Sequence, residues 1–211
     1  MTQPSCSIAL ALLLAATTMG CTRSAPIRGP FLDRFDRTDL GPDYRNTGGP
    51  YHLHDGLLRV RGAYNKPLWL TRALPRNARI EVEVRSDSAD GDIKLEVWGD
   101  GESSASDRGA YLATSYVLIF GGWGNSTAAI ARLDEHGEDR VQRSDLPVTP
   151  RRTYRWTIVR QGQRLEWSID GRPFLKLDDP APLEGSRHAY LGFNNWESDC
   201  AFDNLRVTPL P

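Results

Sequence analysis

The sequence predicts an all-β domain made of two antiparallel sheets packed face to face. Apolar and charged residues alternate along several segments, most clearly from Arg79 to Arg85, and this is the period of a half-buried strand. Asp-Gly pairs at positions 55–56 and 170–171 separate such segments, as in tight hairpins. No window has a convincing helical period, so the strands must bury one another in a sandwich. An up-and-down barrel is the alternative arrangement.

The alternating segments follow one another along the body of the chain. The predicted strands include residues 51–53, 57–60, 79–85, 92–99, 111–120, 154–159, 165–169, 174–177 and 188–193. In segment 92–99 the apolar residues at positions 93, 95 and 97 face inward, which predicts that Lys94, Glu96 and Trp98 share the opposite face. Trp156 and Trp167 occupy the same alternate positions as the apolar residues of their segments, so we expect both in the core.

The first 20 residues have the pattern of an export signal. The apolar stretch Ile8–Ala16 is too short to cross a bilayer and has the length of a signal-peptide core. The segment TMGC at positions 18–21 resembles a lipobox, in which the cysteine is acylated before cleavage. We therefore expect a signal peptide over residues 1–20, a lipidated Cys21 with a short tether over residues 21–30, and one domain over residues 31–211. An ordinary signal peptide with an incidental Cys21 is the alternative.

Charge and cysteine content narrow the classes of partner. The 26 basic and 27 acidic residues are interspersed, so we expect no nucleic-acid partner.

Cys6 would leave with the signal and Cys21 would carry lipid, so Cys200 would have no disulfide partner. The apolar run CAF at 200–202 predicts that Cys200 is a buried core residue. Thr22 is not the Asp that commonly retains lipoproteins at an inner membrane, so an outer membrane or cell-surface location is expected.

Three motifs resemble those of concanavalin A-like lectin/glucanase domains. The segments FLDRFD at 31–36 and FDNLRV at 202–207 resemble the paired terminal strands of these domains. The segment GPYHLHDGLL at 49–58 resembles the hairpin G-G-x-W-x-V-x-D-G-x-L, with Tyr51 at the usual Trp position. The segments YRWTI at 154–158 and LEWSIDG at 165–171 resemble the late hairpin. The resemblance spans residues 31–209 and includes the 3-keto-disaccharide hydrolase-like and laminin G-like branches.

The resemblance implies a jelly roll whose concave sheet binds carbohydrate. A sugar site combines aromatic faces with amide and carboxylate groups, and the segments GGWGN at 121–125 and NNWE at 194–197 supply both at the ends of predicted strands. Together with segment 92–99 they predict one groove, while Trp69 fits either the core or the surface. The predicted ligand-binding residues are Glu96, Trp98, Trp123, Asn125, Asn194, Asn195 and Trp196.

Catalysis would require two carboxyl groups about 5–5.5 Å apart for retention of configuration, or about 6.5–9.5 Å apart for inversion. Glu81 and Glu83 form one candidate pair, and Glu96 with Glu166 forms a looser one. The laminarinase-type glucanases of the family carry the signature E-x-D-x-x-E, and the third acid is missing after Glu83. Glu81 and Glu83 are therefore interpreted as a solvated or groove-lining face.

A structural calcium is a further implication of the resemblance, since many members hold one where the terminal strands meet. Asp203 matches the ligand on the closing strand, and Asp33 or Asp36 would be its partner. A capping or turn role for these acids is the alternative. His52 and His54 share a strand face, but no third ligand stands at a metal-like spacing.

The sequence is compatible with three candidate functions. The first is an envelope-anchored, non-catalytic carbohydrate-binding lipoprotein, whose partners are a glycan and, through acylated Cys21, the lipid bilayer. The second is a glycoside hydrolase of the 3-keto-disaccharide hydrolase-like branch. The third is a structural or protein-binding module of the envelope. A monomer is expected, and calcium is the cofactor that the resemblance suggests.

Overall fold

The computed structural model describes residues 25–106 and 111–211, and these form strands with one four-residue helix. The predicted signal peptide and Cys21 lie outside the described residues. The elements are β1 Phe31–Asp33, β2 Tyr44–Asn46, β3 His52–His54, β4 Leu57–Arg61, β5 Leu68–Leu70, β6 Ala78–Ser86, β7 Ile93–Gly99, β8 Tyr116–Gly121, α1 Gly122–Asn125, β9 Thr127–Arg132, β10 Val141–Arg143, β11 Thr153–Gln161, β12 Arg164–Ile169, β13 Arg172–Asp178, β14 Tyr190–Asn195 and β15 Asp199–Pro209.

The strands form two antiparallel sheets, so the predicted all-β sandwich is confirmed. The eight-stranded sheet has the order β13-β12-β11-β6-β15-β4-β3, and β1 pairs with β15. The seven-stranded sheet has the order β10-β9-β8-β7-β14-β5-β2. Among the described residues, no helix is long and apolar enough to span a membrane.

The terminal strands and both predicted hairpins form as expected. Phe31 in β1 lies opposite Val207 in β15, which joins the two ends of the domain. Asp-Gly pairs connect β3 to β4 and β12 to β13, and all four turn residues have φ between 51° and 75°. Positive φ at both central positions is the requirement of a type I′ turn, which Asp-Gly meets at little cost.

The main core lies between the sheets and contains the predicted tryptophans. Trp156 and Trp167, on neighbouring strands, have ring centroids 4.5 Å apart. Phe120, from the opposite sheet, lies 6.3 Å and 6.4 Å from them, edge to face. Cys200 is also buried, as predicted, and its burial raises the pKa of the thiol well above the ordinary value.

Trp98 lies in this core rather than on the outer face of β7. The β7–β14 pairing shifts register, so that Val97 and Gly99 lie opposite consecutive residues of β14 and Trp98 is the extra residue of a bulge. Its φ of 54° turns the side chain inward, where the guanidinium of Arg160 stands 4.9 Å from the ring. The prediction that Trp98 shares a face with Lys94 and Glu96 is therefore wrong.

A second, smaller apolar cluster covers part of the outer face of the seven-stranded sheet. Ala105, Tyr111 and Ala113 pack there against side chains of β8 and β9. Trp69 also lies on this face, and a Cβ added at Gly99 or Gly192 would stand only 2.5 Å or 2.9 Å from its ring. Its Nε1 donates to the carbonyl of Ser103 at 3.0 Å. Trp69 is therefore buried by the segment that follows β7.

Candidate functional site

A cleft of about 670 Å³ opens beside this cluster, on the outer face of the seven-stranded sheet. Its volume is in the range typical of small-molecule sites. Polar residues line the cleft, together with two tryptophans. Its lining includes Asn65, Asp90, Asp92, Lys94, Tyr111, Trp123, Glu135, His136, Trp196, Glu197 and Ser198.

Lys94 occupies the centre of the cleft floor. Its Nζ lies 2.7 Å from Glu135 Oε2, 3.1 Å from Asn65 Oδ1 and 3.8 Å from Asp92 Oδ1. Burial by itself lowers the pKa of this ammonium, but the carboxylates of Asp92 and Glu135 outweigh it and raise the pKa above its ordinary value. Lys94 therefore stays charged at neutral pH.

The loops around Lys94 hold its partners in place. Asn65 and Asp92 have φ of 58° and 54°, a left-handed conformation that Asn and Asp adopt more readily than other side chains. Asn65 Nδ2 donates to Glu135 Oε1 at 3.1 Å, and the backbone N–H of Trp196 donates to Asp92. Burial raises the pKa of Asp92, while Lys94 opposes the shift. Four loops, those that contain Asn65, Asp92, Glu135 and Trp196, are thus cross-linked by one polar network.

Glu96 is fully buried next to this network. Its carboxylate accepts hydrogen bonds from Ser115 Oγ at 2.6 Å, from Asn194 Nδ2 at 2.9 Å and from the Tyr111 hydroxyl at 3.2 Å. Burial raises the pKa of Glu96 to about 7, although these hydrogen bonds favour the ionised form. Glu96 can therefore change its charge near neutral pH.

Two tryptophans border the cleft. Trp123 follows two glycines, has φ of 51° and leaves 42% of its surface exposed. Its ring meets His136 edge to face at 5.7 Å, and the guanidinium of Arg140 lies 5.1 Å from it. Trp196 packs edge to face against Tyr64 at 5.1 Å. A left-handed non-glycine residue costs about 1–2 kcal/mol, so the exposed position of Trp123 is held by its surroundings.

The remaining predicted ligand-binding residues have structural contacts. Asn125 donates to the carbonyls of Val148 at 2.8 Å and Ala89 at 3.0 Å, which ties three loops together. Asn195 accepts from the N–H of Ala63 at 2.9 Å and donates to the carbonyl of Ser198. The structure therefore brings Trp123, Trp196, Asn194 and Glu96 to one region, and it uses Asn125 and Asn195 to shape the surrounding loops.

The predicted carboxyl pairs are not found at this cleft. Glu81, Glu83 and Glu166 project from the outer face of the eight-stranded sheet, on the far side of the core from Glu96. The pairing of Glu96 with Glu166 is therefore wrong, because the whole sandwich lies between them. Glu83 accepts from Arg155 at 2.8 Å and from Asn204 at 3.1 Å, and the hydrogen bond from Arg155 lowers its pKa.

The predicted calcium ligands have other partners. Both oxygens of Asp33 accept hydrogen bonds from Arg37, at 2.6 Å and 2.9 Å, and Tyr44 and the N–H of Phe35 also donate to it. Asp203 accepts from the N–H and the side chain of Asn204. A carboxylate neutralised by Arg37 does not fit a hard cation, and these contacts match the capping and turn role. The described residues contain no cluster of three or more His, Cys, Asp or Glu side chains suited to a metal.

Sequence reasoning missed Asn65, Asp92 and Glu135, and it placed Lys94 on the right face without assigning it a role. The sequence carries no signal for the role of Lys94, because its alternation with apolar residues is also that of a half-exposed strand. Only the structure shows that β7 is buried on both faces, where a Lys and a Glu need partners. Nothing in the sequence indicates which loops supply those partners.

Comparison with known proteins identifies the fold. No protein-family model and no curated protein matches the chain. Among solved structures, the carbohydrate-binding module CBM66 from Bacillus subtilis matches with a TM-score of 0.60 and 12% identity, over 79% of this chain and 96% of that chain. A β-glucanase from Bacillus licheniformis matches with a TM-score of 0.64 and 10% identity, over 86% of this chain and 99% of that chain.

A third structure, a lichenase derived from a mouse hindgut metagenome, matches with a TM-score of 0.60 and 11% identity, over 86% of this chain and all of that chain. The chain has the concanavalin A-like jelly-roll fold. This fold is shared by a binding module and by glucanases, so the fold alone does not decide between the two activities.

Proposed function

We propose that the protein is a non-catalytic carbohydrate-binding protein whose ligand occupies the cleft on the seven-stranded sheet. The observation that carries the proposal is that Trp123 and Trp196 border a cleft whose floor is a cross-linked polar network. Indole faces stack on the apolar faces of sugar rings, and carboxylates and amides hydrogen-bond the hydroxyls.

The rigidity of the cleft supports binding. Lys94, Asn65, Glu135 and Asp92 hold one another in place before any ligand arrives. Side chains that are already ordered lose little conformational entropy when a ligand binds, so more of the contact energy appears as affinity. The neighbour named as a carbohydrate-binding module shows that the same fold serves this activity in another protein.

The arrangement of carboxylates favours binding over hydrolysis. Asp92 and Glu135 both contact the Lys94 ammonium, at 3.8 Å and 2.7 Å, so neither carboxyl group is free to act on a glycosidic bond. Glu96 has a pKa of about 7 but is enclosed by Ser115, Asn194 and Tyr111. A glycoside hydrolase is the second candidate, because Asp92 and Glu135 stand in one cleft and the pKa of Asp92 is raised.

Calorimetry with a panel of oligosaccharides tests the proposal. Trp123→Ala should weaken binding about tenfold, since aromatic contacts contribute about 0.5–1.5 kcal/mol beyond area burial. Leu146→Ala is the matched control, because Leu146 is 43% exposed against 42% for Trp123 and does not line the cleft. Unchanged affinity in Trp123→Ala would show that the saccharide does not bind in this cleft. Release of reducing ends would favour the hydrolase, and neither binding nor release would favour the third function, a structural or protein-binding module.

We further propose that Cys21 anchors the protein to the envelope, on the lipobox-like segment TMGC. Cells expressing the chain and fed radiolabelled palmitate should label the protein and retain it in the membrane fraction. Cys21→Ser should abolish both the label and the retention, and Cys6→Ser should abolish neither. Label that persists in Cys21→Ser would refute the anchor.

A further inference from the structure

The cleft has an excess of negative charge. Asp90, Asp92, Glu135 and Glu197 line it, against the single ammonium of Lys94 among the described lining residues. Lys94 is already engaged by Glu135 at 2.7 Å and Asp92 at 3.8 Å. A concave surface with low-dielectric walls concentrates the field of its charges, so the cleft attracts cations.

Two of these four carboxylates are available to form an ion pair with a ligand. Asp90 and Glu197 are exposed, and within the described parts of the chain neither has a Lys, Arg or His within ion-pair distance. They lie at the rim, on the loops that precede β7 and follow β14. Neither carboxylate is needed to hold the polar network of the floor together.

A buried hydroxyl provides an independent sign of a ligand. Ser198 lines the same cleft and is 2% exposed, yet its Oγ has no hydrogen-bond partner. A buried polar group without a partner destabilises a protein, and such groups are rare in native structures. A polar group on a bound ligand would supply the missing partner.

The aromatic rim suits the same kind of ligand. The face of an indole ring carries negative potential and attracts a nearby ammonium, most strongly where water is excluded. Trp123 already has the guanidinium of Arg140 at 5.1 Å from its ring, and Trp196 lines the same cleft. Stacking and charge therefore favour one ligand that combines a sugar ring with a positive charge.

We propose, on the basis of the proposed carbohydrate-binding function, that the preferred ligand is an amino sugar with a free, protonated amine. Asp90 and Glu197 attract the ammonium, the two indoles contact the ring, and the floor network with Ser198 hydrogen-bonds the hydroxyls. Neutral and acidic saccharides lack the first of these interactions. An acidic saccharide would in addition be repelled by the carboxylates of the rim.

Calorimetry of the full chain with two oligosaccharides of equal length tests this preference. One is a glucosamine oligomer and the other is its fully N-acetylated counterpart, which removes the charge and keeps the ring. At about pH 6 the glucosamine oligomer should bind about tenfold more tightly, since its ammonium forms charge pairs that the N-acetylated oligomer lacks. Added salt should reduce the difference.

A double variant assigns the preference to the rim. Asp90→Asn with Glu197→Gln should bring the ratio of the two affinities close to one, and Glu166→Gln, an exposed carboxylate on the other sheet, should leave the ratio unchanged. Equal affinities in the unaltered protein, or a ratio that survives the double variant, would overturn the amino-sugar inference while the carbohydrate-binding proposal stands. Failure of both oligomers and of every other saccharide to bind would overturn both proposals.

Discussion

Removing the buried ammonium of Lys94 should destabilise the protein far more than removing an exposed one with the same contact. Lys94 Nζ lies 2.7 Å from Glu135 Oε2, and the two side chains are 5% and 10% exposed. Lys176 Nζ lies 2.7 Å from Asp178 Oδ2, with 49% and 52% exposure. The variants Lys94→Met and Lys176→Met therefore differ in burial and not in the length of the ion pair.

The expected loss in free energy of unfolding depends on which carboxylates each variant leaves without a cation. Lys94→Met leaves the carboxylates of Glu135 and Asp92 buried without their cation, and breaking a buried pair in this way costs about 3–5 kcal/mol. Lys176→Met leaves Asp178 in water with Arg164 still 2.8 Å away, so the loss should be about 0–1 kcal/mol. Adding Glu135→Gln to Lys94→Met should recover part of the larger loss, because one of the stranded charges is removed.

Urea unfolding followed by tryptophan fluorescence gives the free energy of unfolding of each variant. The buried variant should also recover stability as the pH falls and Asp92, whose pKa is raised by burial, becomes protonated. Losses that agree within about 0.5 kcal/mol for Lys94→Met and Lys176→Met would refute the reasoning, because the difference in burial would then have no energetic effect.

Three further predictions concern buried groups. The pKa of Glu96 is raised to about 7, so its contribution to stability is full below the unfolded-state pKa near 4.5 and is lost as the pH rises through 7. Urea midpoints should fall between about pH 5 and pH 8, and Glu96→Gln should remove a part of that fall on the order of 3 kcal/mol; an unchanged profile would contradict the assignment. Trp98→Ala should cost on the order of 3–5 kcal/mol in urea unfolding, because Trp98 fills the core, whereas a surface tryptophan would cost little. With the two N-terminal cysteines replaced by serine, the Cys200 thiol should resist a thiol reagent in the folded protein and react once urea unfolds it; rapid reaction when folded would place it at the surface.

Much of the fold could be predicted because local signals and tertiary structure agree. Alternation in residues 79–85 is imposed by one face that meets the core and one that meets water, so the strand can be recognised without its partners. Asp-Gly turns are equally local, since the positive φ they need is a property of two residues. Trp98 shows the limit of this approach. The bulge in β7 adds one residue, so the side chains that follow it point to the opposite face of the sheet. The alternation of apolar and polar residues before the bulge does not reveal this change.

The candidate site could be predicted only where its residues sit at strand ends. Glycines and asparagines around Trp123 and Trp196 indicated exposed loops, and both rings border the cleft. Asn65 and Glu135 are 70 residues apart in sequence and meet across Lys94 only because the sandwich brings their loops together. Such convergence depends on strand order, which the alternation of apolar and polar residues does not encode.

The two outer faces of the sandwich differ in a way that bears on function. On the eight-stranded sheet, Glu83 pairs with Arg155 in solvent, where an ion pair contributes little and can be lost at little cost. On the seven-stranded sheet, Lys94, Glu135 and Asp92 are buried together, although well-packed apolar residues in their place are often as stable or more so. Stability alone therefore does not account for the buried network. We propose that the network serves the ligand of the cleft, so Lys94→Met should weaken oligosaccharide binding as well as lower the free energy of unfolding.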